Sequence, residues 1–188
     1  MSDNNIRELA VSYRNAIETA KQDNLFNCKM PFCDFPSDCC GDASLLLAEY
    51  LNNFGIATLI GSFVRDNETH AWLILKNHRV SKFKEIIPEE ISTLISNYGP
   101  NQSLKVNQVE YYTSDSTRDG LIIDITGDQF DDCYTPVYVV YMDSFHDSFE
   151  FRQVSDYNGL PNDLNKIYED ILQYVNTEFV LPQNTGQN

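Results

Sequence analysis

The fold turns on one stretch, Ser37-Asp38-Cys39-Cys40-Gly41-Asp42-Ala43-Ser44-Leu45-Leu46-Leu47-Ala48-Glu49-Tyr50-Leu51-Asn52-Asn53-Phe54-Gly55-Ile56. Ala43, Leu46, Leu47, Tyr50, Leu51 and Phe54 recur at steps of three and four, the rhythm of a helix that buries one face. Ser37 or Asp38 can cap its start, and Gly55 can take the left-handed conformation just past its end. The helix therefore opens near Cys40. Ile56 to Val64 then reads as a strand, Asp66-Asn67-Glu68 as a turn, and His70 to Leu75 as a second strand. So short a turn predicts antiparallel pairing. The local pattern is a cysteine at the head of a helix, followed by a hairpin that carries a histidine.

Working outward, Ile6, Leu9, Ala10, Tyr13, Ala16, Ile17 and Ala20 mark a first helix over about residues 4–22. Asp23 to Asp38 is a long loop with two prolines and two cysteines, and long loops are often functional. Residues 76–120 read as an insertion: a short helix opened by Pro88 and closed by Gly99, a strand from Lys105 to Tyr112, and a polar loop from Ser114 to Gly120. Strands follow at Leu121–Thr126, Val137–Met142 and Phe149–Val154, the last two as a hairpin around Asp143-Ser144-Phe145-His146-Asp147. A helix from about Asp163 to Asn176 and a frayed tail from Pro182 complete the chain. The expected fold class is α+β. The cysteine helix packs on an antiparallel sheet of residues 56–64, 70–75, 121–126, 137–142 and 149–154, with N- and C-terminal helices beside it. Residues 1–188 form a single domain, with an inserted lobe at about 76–120.

Composition bounds the function. The 188 residues hold 13 Lys and Arg against 28 Asp and Glu, a formal net charge of −15. Such a surface repels phosphate backbones, so no nucleic-acid role is expected. The longest basic cluster, His78-Arg79-Val80-Ser81-Lys82-Phe83-Lys84, reads as a solvated strand end or loop. No apolar run approaches the roughly 20 residues of a membrane span, and the N-terminus carries no targeting pattern. No membrane role is expected, and the default setting is the cytoplasm. Five cysteines, an odd number, argue against a full disulfide framework in a reducing compartment.

Three residues stand out chemically. Cys40 sits where free helix N–H groups and the helix dipole favour a negative charge, which lowers a thiol's pKa and offers donors to an oxyanion. His70 is the best base among three histidines, since His78 and His146 fall in expected loops. Asp124, in Leu121-Ile122-Ile123-Asp124-Ile125-Thr126, is a carboxylate in an apolar strand, costly to bury without a partner. An imidazole N–H is a suitable partner, oriented by the carboxylate. Each residue also has a plain reading: a buried helix cysteine, a strand-end histidine, an Asp bonded to Thr126 or loop backbone.

The order of these motifs resembles the transglutaminase-like superfamily, of papain-related fold. Asp38-Cys39-Cys40-Gly41-Asp42-Ala43-Ser44-Leu45-Leu46-Leu47 with Phe54-Gly55-Ile56 looks like that family's nucleophile helix, where a Cys opens a helix that ends in Gly-Ile about fifteen residues on. His70-Ala71-Trp72 is similar to its His-Ala-Trp, and Asp124-Ile125-Thr126 to its Asp-x-Thr. Bacterial relatives include leader peptidases that mature lasso peptides. Counting back from Gly55 selects Cys40 over Cys39. The resemblance implies Cys40 as nucleophile, His70 as base and acid, and Asp124 as orienter. It implies a peptide or protein substrate, no cofactor and no metal, and the acidity hints at a basic substrate. Secondary candidates are Cys39 as a structural or resolving thiol, Trp72 as core or cleft wall, and Gln129 as a polar contact. Gly41 departs from the bulky residue common after the Cys, and the stretch from His70 to Asp124 is longer than in compact members.

Two other readings compete with a cysteine-dependent acyl-transfer enzyme. A non-catalytic protein-binding module could keep the same fold. A zinc site could use Cys28, Cys33, Cys39 and Cys40, although their Cys-x4-Cys-x5-Cys-Cys spacing lacks paired knuckles.

Overall fold

A computed structural model describes residues 2–26, 31–75, 103–106, 109–112, 120–141 and 143–175. The chain is α+β, with three helices packed on a five-stranded antiparallel sheet. Helix α1 spans Asp3–Gln22, and the Ser2 side chain accepts from Asn5 N–H at its start. Helix α2 spans Cys40–Asn52 and helix α3 Asn162–Leu172. The strands are β1 Thr58–Arg65, β2 Glu68–Leu75, β3 Ser103–Val106, β4 Val109–Tyr112, β5 Ile122–Asp124, β6 Tyr138–Val140 and β7 Glu150–Asp156. In the main sheet the order is β6-β5-β2-β1-β7, while β3 and β4 pair separately.

The expected hairpin of β1 and β2 forms, from Thr58↔Leu75 to Arg65↔Glu68. Asp66 and Asn67 turn it with φ of 51° and 69°, a left-handed conformation that Asp and Asn tolerate better than most residues. Next to β2 lies β5, with Leu73↔Ile123 and Ile74↔Ile122 in register.

A second expected hairpin does not form. β6 pairs with β5 and β7 pairs with β1, so the strands around Asp143–Asp147 lie at opposite edges of the sheet. The connecting segment crosses the sheet face because Phe145, His146 and Phe149 have buried aromatic surface to pack against. The strand expected over Lys105–Tyr112 is two short strands, β3 and β4. The helix expected between Pro88 and Gly99, the basic cluster at 78–84 and the tail from Pro182 lie outside the described residues.

Alternation along the strands gives the sheet two buried faces. Leu73, Ile123 and Val139 join Leu9, Tyr13, Ile17, Leu46, Leu47 and Leu51 in the core beneath the helices. On the other face Trp72, Ile74 and Ile122 pack with Phe63, Phe130, Phe149 and Val154. His70 alternates with Trp72 and Asp124 with Ile122, so both functional candidates belong to this second, aromatic face. Among the described residues, no helix is long and apolar enough to cross a membrane.

Candidate active site

Helix α2 and strand β2 run side by side, and two hydrogen bonds set their register. Ser44 Oγ donates to Ala71 O at 3.1 Å, and the Cys40 thiol, one helical turn earlier, points to Thr69 O at 4.0 Å. Four helical residues rise about 6 Å and two strand residues about 6.6 Å, so both contacts can be met at once. The cysteine at the helix head is thereby placed beside the start of β2, one residue from His70. The helix start differs from expectation in one detail. Cys39 is the N-cap, with no side-chain capping bond, in place of Ser37 or Asp38. Gly55 takes φ of 73°, as expected of the residue that ends this helix.

His70 and Asp124 come together as the sequence suggests. His70 Nε2 lies 2.8 Å from Asp124 Oδ2, and each residue is 1% exposed. The other carboxylate oxygen accepts from Thr126 N–H at 2.8 Å and Thr126 Oγ1 at 3.2 Å. The Asp-x-Thr tripeptide is thus a small bracket in which the threonine holds the aspartate. Burial penalises the Asp124 charge, but the charge of His70 and the hydrogen bonds of His146 and His70 outweigh it, holding the carboxyl well below its usual range. For His70, burial works against the imidazolium. The charge and hydrogen bond of Asp124 overcome it, with help from Cys40, and push the imidazole up to about 9. Burial likewise raises the Cys40 thiol. Hydrogen bonding and charge from His70, then the Ala71 backbone and Gln129, carry it below its ordinary value.

Gln129 lies against the same imidazole. Its Nε2 lies 2.8 Å from His70 Nδ1, on the ring edge opposite Asp124. It is delivered by a 3-10 turn at Gly127–Gln129, which packs against the Asp124 bracket. A Cβ on Gly127 would stand 2.9 Å from Asp124 Oδ2 and 3.2 Å from Cys133 Sγ, so only glycine allows this approach. The turn is anchored by Arg14 of α1, which is 3% exposed. Its guanidinium donates to both Asp128 oxygens at 2.6 and 2.7 Å, and to the carbonyls of Ile125 and Pro136 at 2.6 and 2.8 Å.

The other secondary candidates have structural positions. Cys39 is buried, its thiol directed at Pro36 O at 3.4 Å. Burial, then the charges of Cys40, Asp42 and Asp38, push that thiol up to about 12. Trp72 is core: its ring stacks on Phe63 at 3.7 Å and meets Phe149 and His146 edge-on. Cys33, Cys39, Cys40 and Cys133 are free thiols, and Cys28 lies outside the described residues. Among the described residues, no group of three or more His, Cys, Asp or Glu side chains is disposed to hold a metal ion.

Sequence reasoning missed His146. Expected in a hairpin loop and passed over as a base, it is 1% exposed, with Nε2 3.4 Å from Asp124 Oδ2 and Nδ1 2.7 Å from Asp143 Oδ1. The available signal was the Asp-x-x-His spacing among three phenylalanines, which suits a capped turn packed on an apolar surface rather than a solvated hairpin end. No protein-family model matches the sequence, and neither a curated protein nor a solved structure matches it.

Proposed function

We propose that the chain is a cysteine-dependent acyl-transfer enzyme acting on a peptide or protein, through Cys40, His70 and Asp124. The observation that carries this reading is the buried His70–Asp124 hydrogen bond of 2.8 Å beside a cysteine at the head of a helix. Burying an ion pair costs several kcal/mol of desolvation per charge, which packing alone gives little reason to incur. The sequence resemblance to the transglutaminase-like superfamily points the same way.

In this mechanism the Cys40 thiolate attacks a carbonyl carbon, and the oxyanion is met by free N–H groups of the first turn of α2. His70 gives its proton to the departing amine as the carbon–nitrogen bond breaks, leaving a thioester on Cys40. Water, or an acceptor amine, attacks the thioester with its proton passing to His70, and the carbon–sulfur bond breaks to release the Cys40 thiolate beside the imidazolium. Asp124 keeps Nε2 as the donor to its own oxygen, so Nδ1 is the nitrogen that exchanges the proton.

The test is intact-mass spectrometry of wild type and Cys40→Ala after incubation with peptide mixtures and glutamine-bearing proteins. An acyl adduct, or a cleaved, deamidated or cross-linked product, formed by wild type alone is the expected result. Identical spectra from the two proteins, with Cys40 no faster than an ordinary thiol toward an alkylating probe, leave the binding-module reading in its place.

A further inference from the structure

Behind the His70–Asp124 pair lies a second imidazole–carboxylate couple. The loop between β6 and β7 returns across the aromatic face with Asp143 and His146 on one turn. Asp143 Oδ1 accepts from His146 N–H at 2.9 Å and lies 2.7 Å from His146 Nδ1. This double contact fixes the ring plane. Trp72 of β2, Tyr138 of β6 and Phe145 of the same loop press on the ring edge-on, at centroid distances of 4.9, 5.0 and 5.0 Å. The remaining nitrogen, Nε2, then faces Asp124 Oδ2 at 3.4 Å, the oxygen that also serves His70.

We propose that His146, set by Asp143, is a positioning residue for the catalytic pair: its Nε2–H is the second donor to Asp124 Oδ2, and it holds that carboxylate in the plane His70 requires. This rests on the acyl-transfer reading. The donors around the carboxylate support it. Asp124 is fully enclosed, and a buried carboxylate needs most of its lone pairs met. Thr126 supplies two donors to Oδ1. His70 alone would leave Oδ2 with one donor, and His146 Nε2 is the second nitrogen within reach of that oxygen. The charged and titratable groups facing His146 are Asp143 from its own loop, Asp124 from β5 and Tyr138 from β6. Those facing Asp124 are His70, His146 and, at longer range, Cys133.

Two readouts test the proposal on the full chain. The first is long-range proton–nitrogen NMR of histidine-labelled wild type at pH 7, with His78→Gln and His146→Gln variants assigning the three rings. A hydrogen on His146 Nε2 is expected. A bare Nε2 overturns the proposal whether or not any variant folds, since a ring without that hydrogen cannot donate to Asp124. The second is the alkylation rate of Cys40 at pH 7 in His146→Phe and His146→Gln. Phenylalanine keeps the aromatic packing without the donor, and glutamine carries an amide N–H where Nε2 stood. A drop of about tenfold in His146→Phe, with recovery in His146→Gln, is expected for loss of one hydrogen bond to a buried charge. A folded His146→Phe that labels at the wild-type rate, when wild-type Cys40 is itself fast, overturns the positioning role. If wild-type Cys40 is slow, the acyl-transfer reading fails instead, and the NMR result still decides what His146 does.

Discussion

Gln129 Nε2 lies 2.8 Å from His70 Nδ1, so a carboxylate and a carboxamide flank the imidazole, one at each ring nitrogen. The same carboxamide contributes to the lowered pKa of Cys40. Gln129 therefore acts on both Cys40 and His70. Gln129→Ala should raise the midpoint of the Cys40 alkylation profile, by about one pH unit for a hydrogen bond to a charged group. Gln129→Glu should raise it further, because a carboxylate beside the thiolate disfavours its negative charge. Rate against pH with a small alkylating reagent measures both, and midpoints equal to wild type in both variants place Gln129 outside the site.

Among the thiols, burial and charge predict strong selectivity. Cys40 is lowered by His70, while Cys39 is pushed up to about 12 by burial and its neighbours, and burial also raises Cys133. Alkylation of native protein below pH 8, read by peptide mass spectrometry, should label Cys40 well before Cys39 or Cys133. In His70→Ala the Cys40 profile should return to or above the ordinary thiol value of about 8.5, because burial then acts without the imidazolium. Comparable labelling of Cys39 and Cys40 in folded wild type contradicts this order of acidities.

Arg14 is the buried cation that ties α1 to the segment after Asp124. Replacing it with methionine keeps the length and removes the donors, leaving Asp128 unpaired and the carbonyls of Ile125 and Pro136 unmet. A loss of about 3 kcal/mol is expected from urea unfolding. Arg14→Lys should recover only part, since an ammonium cannot reproduce the two-pronged bond to the carboxylate. Both variants should also slow Cys40 alkylation, because the anchored turn carries Gln129. Full stability in Arg14→Met disposes of the anchoring argument.

These residues show what the sequence made legible. Cys40, His70 and Asp124 could be found because each sits in an element that pattern locates: Cys40 at a helix start, His70 near the start of a strand, Asp124 in an apolar strand. Periodicity locates such elements. The helix-side core was readable for the same reason, since Leu9, Ala10, Tyr13, Ala16 and Ile17 trace one face of α1. Arg14 lies four residues after Ala10, on the margin of that face, which signals a cation in search of a buried carboxylate without saying which one. The position of β7 was not readable. Neighbouring strands in sequence usually pair, and the exception depends on where Phe145, His146 and Phe149 find surface to bury, a long-range matter that local pattern does not carry. His146 went with it, because a residue in a hairpin loop is not counted among groups packed on the sheet face.

Stability should follow the His70–Asp124 pair with pH. His70 has a higher pKa folded, about 9, than its unfolded value of about 6.5, so its contribution is fully present below 6.5 and is lost as pH rises towards 9. Asp124 has a depressed folded pKa, so its contribution is present above the unfolded value of about 3.9 and is lost as pH falls further. The difference in Tm between wild type and His70→Ala should then be greatest between about pH 4 and 6.5, and shrink on either side. Scanning calorimetry across that range checks it, and a difference independent of pH means that the pair does not titrate as an ion pair.

Gly127 offers the sharpest test of the Asp124 bracket, because one methyl group is enough. In Gly127→Ala the new carbon would stand 2.9 Å from Asp124 Oδ2, 3.2 Å from Cys133 Sγ and 3.3 Å from Tyr138 Cε2. These neighbours sit on different segments and cannot all withdraw in one direction. The carboxylate is held by Thr126 and His70, with His146 Nε2 close by, so it moves only by disturbing those contacts. A loss of roughly 1–3 kcal/mol is expected, as for other overpacked interiors. The Cys40 alkylation midpoint should rise as well, since a displaced Asp124 holds His70 less firmly. Gly41→Ala is the matching control. It faces open space on helix α2, where exchanging glycine for alanine stabilises by at most about 1 kcal/mol. Thermal melting with alkylation profiles separates the two variants: Gly127→Ala should shift both readouts, and Gly41→Ala should leave the melting point equal or slightly raised. If Gly127→Ala melts like wild type and labels like wild type, Asp124 is not confined by the turn, and its orientation must come from the two imidazoles and Thr126 alone.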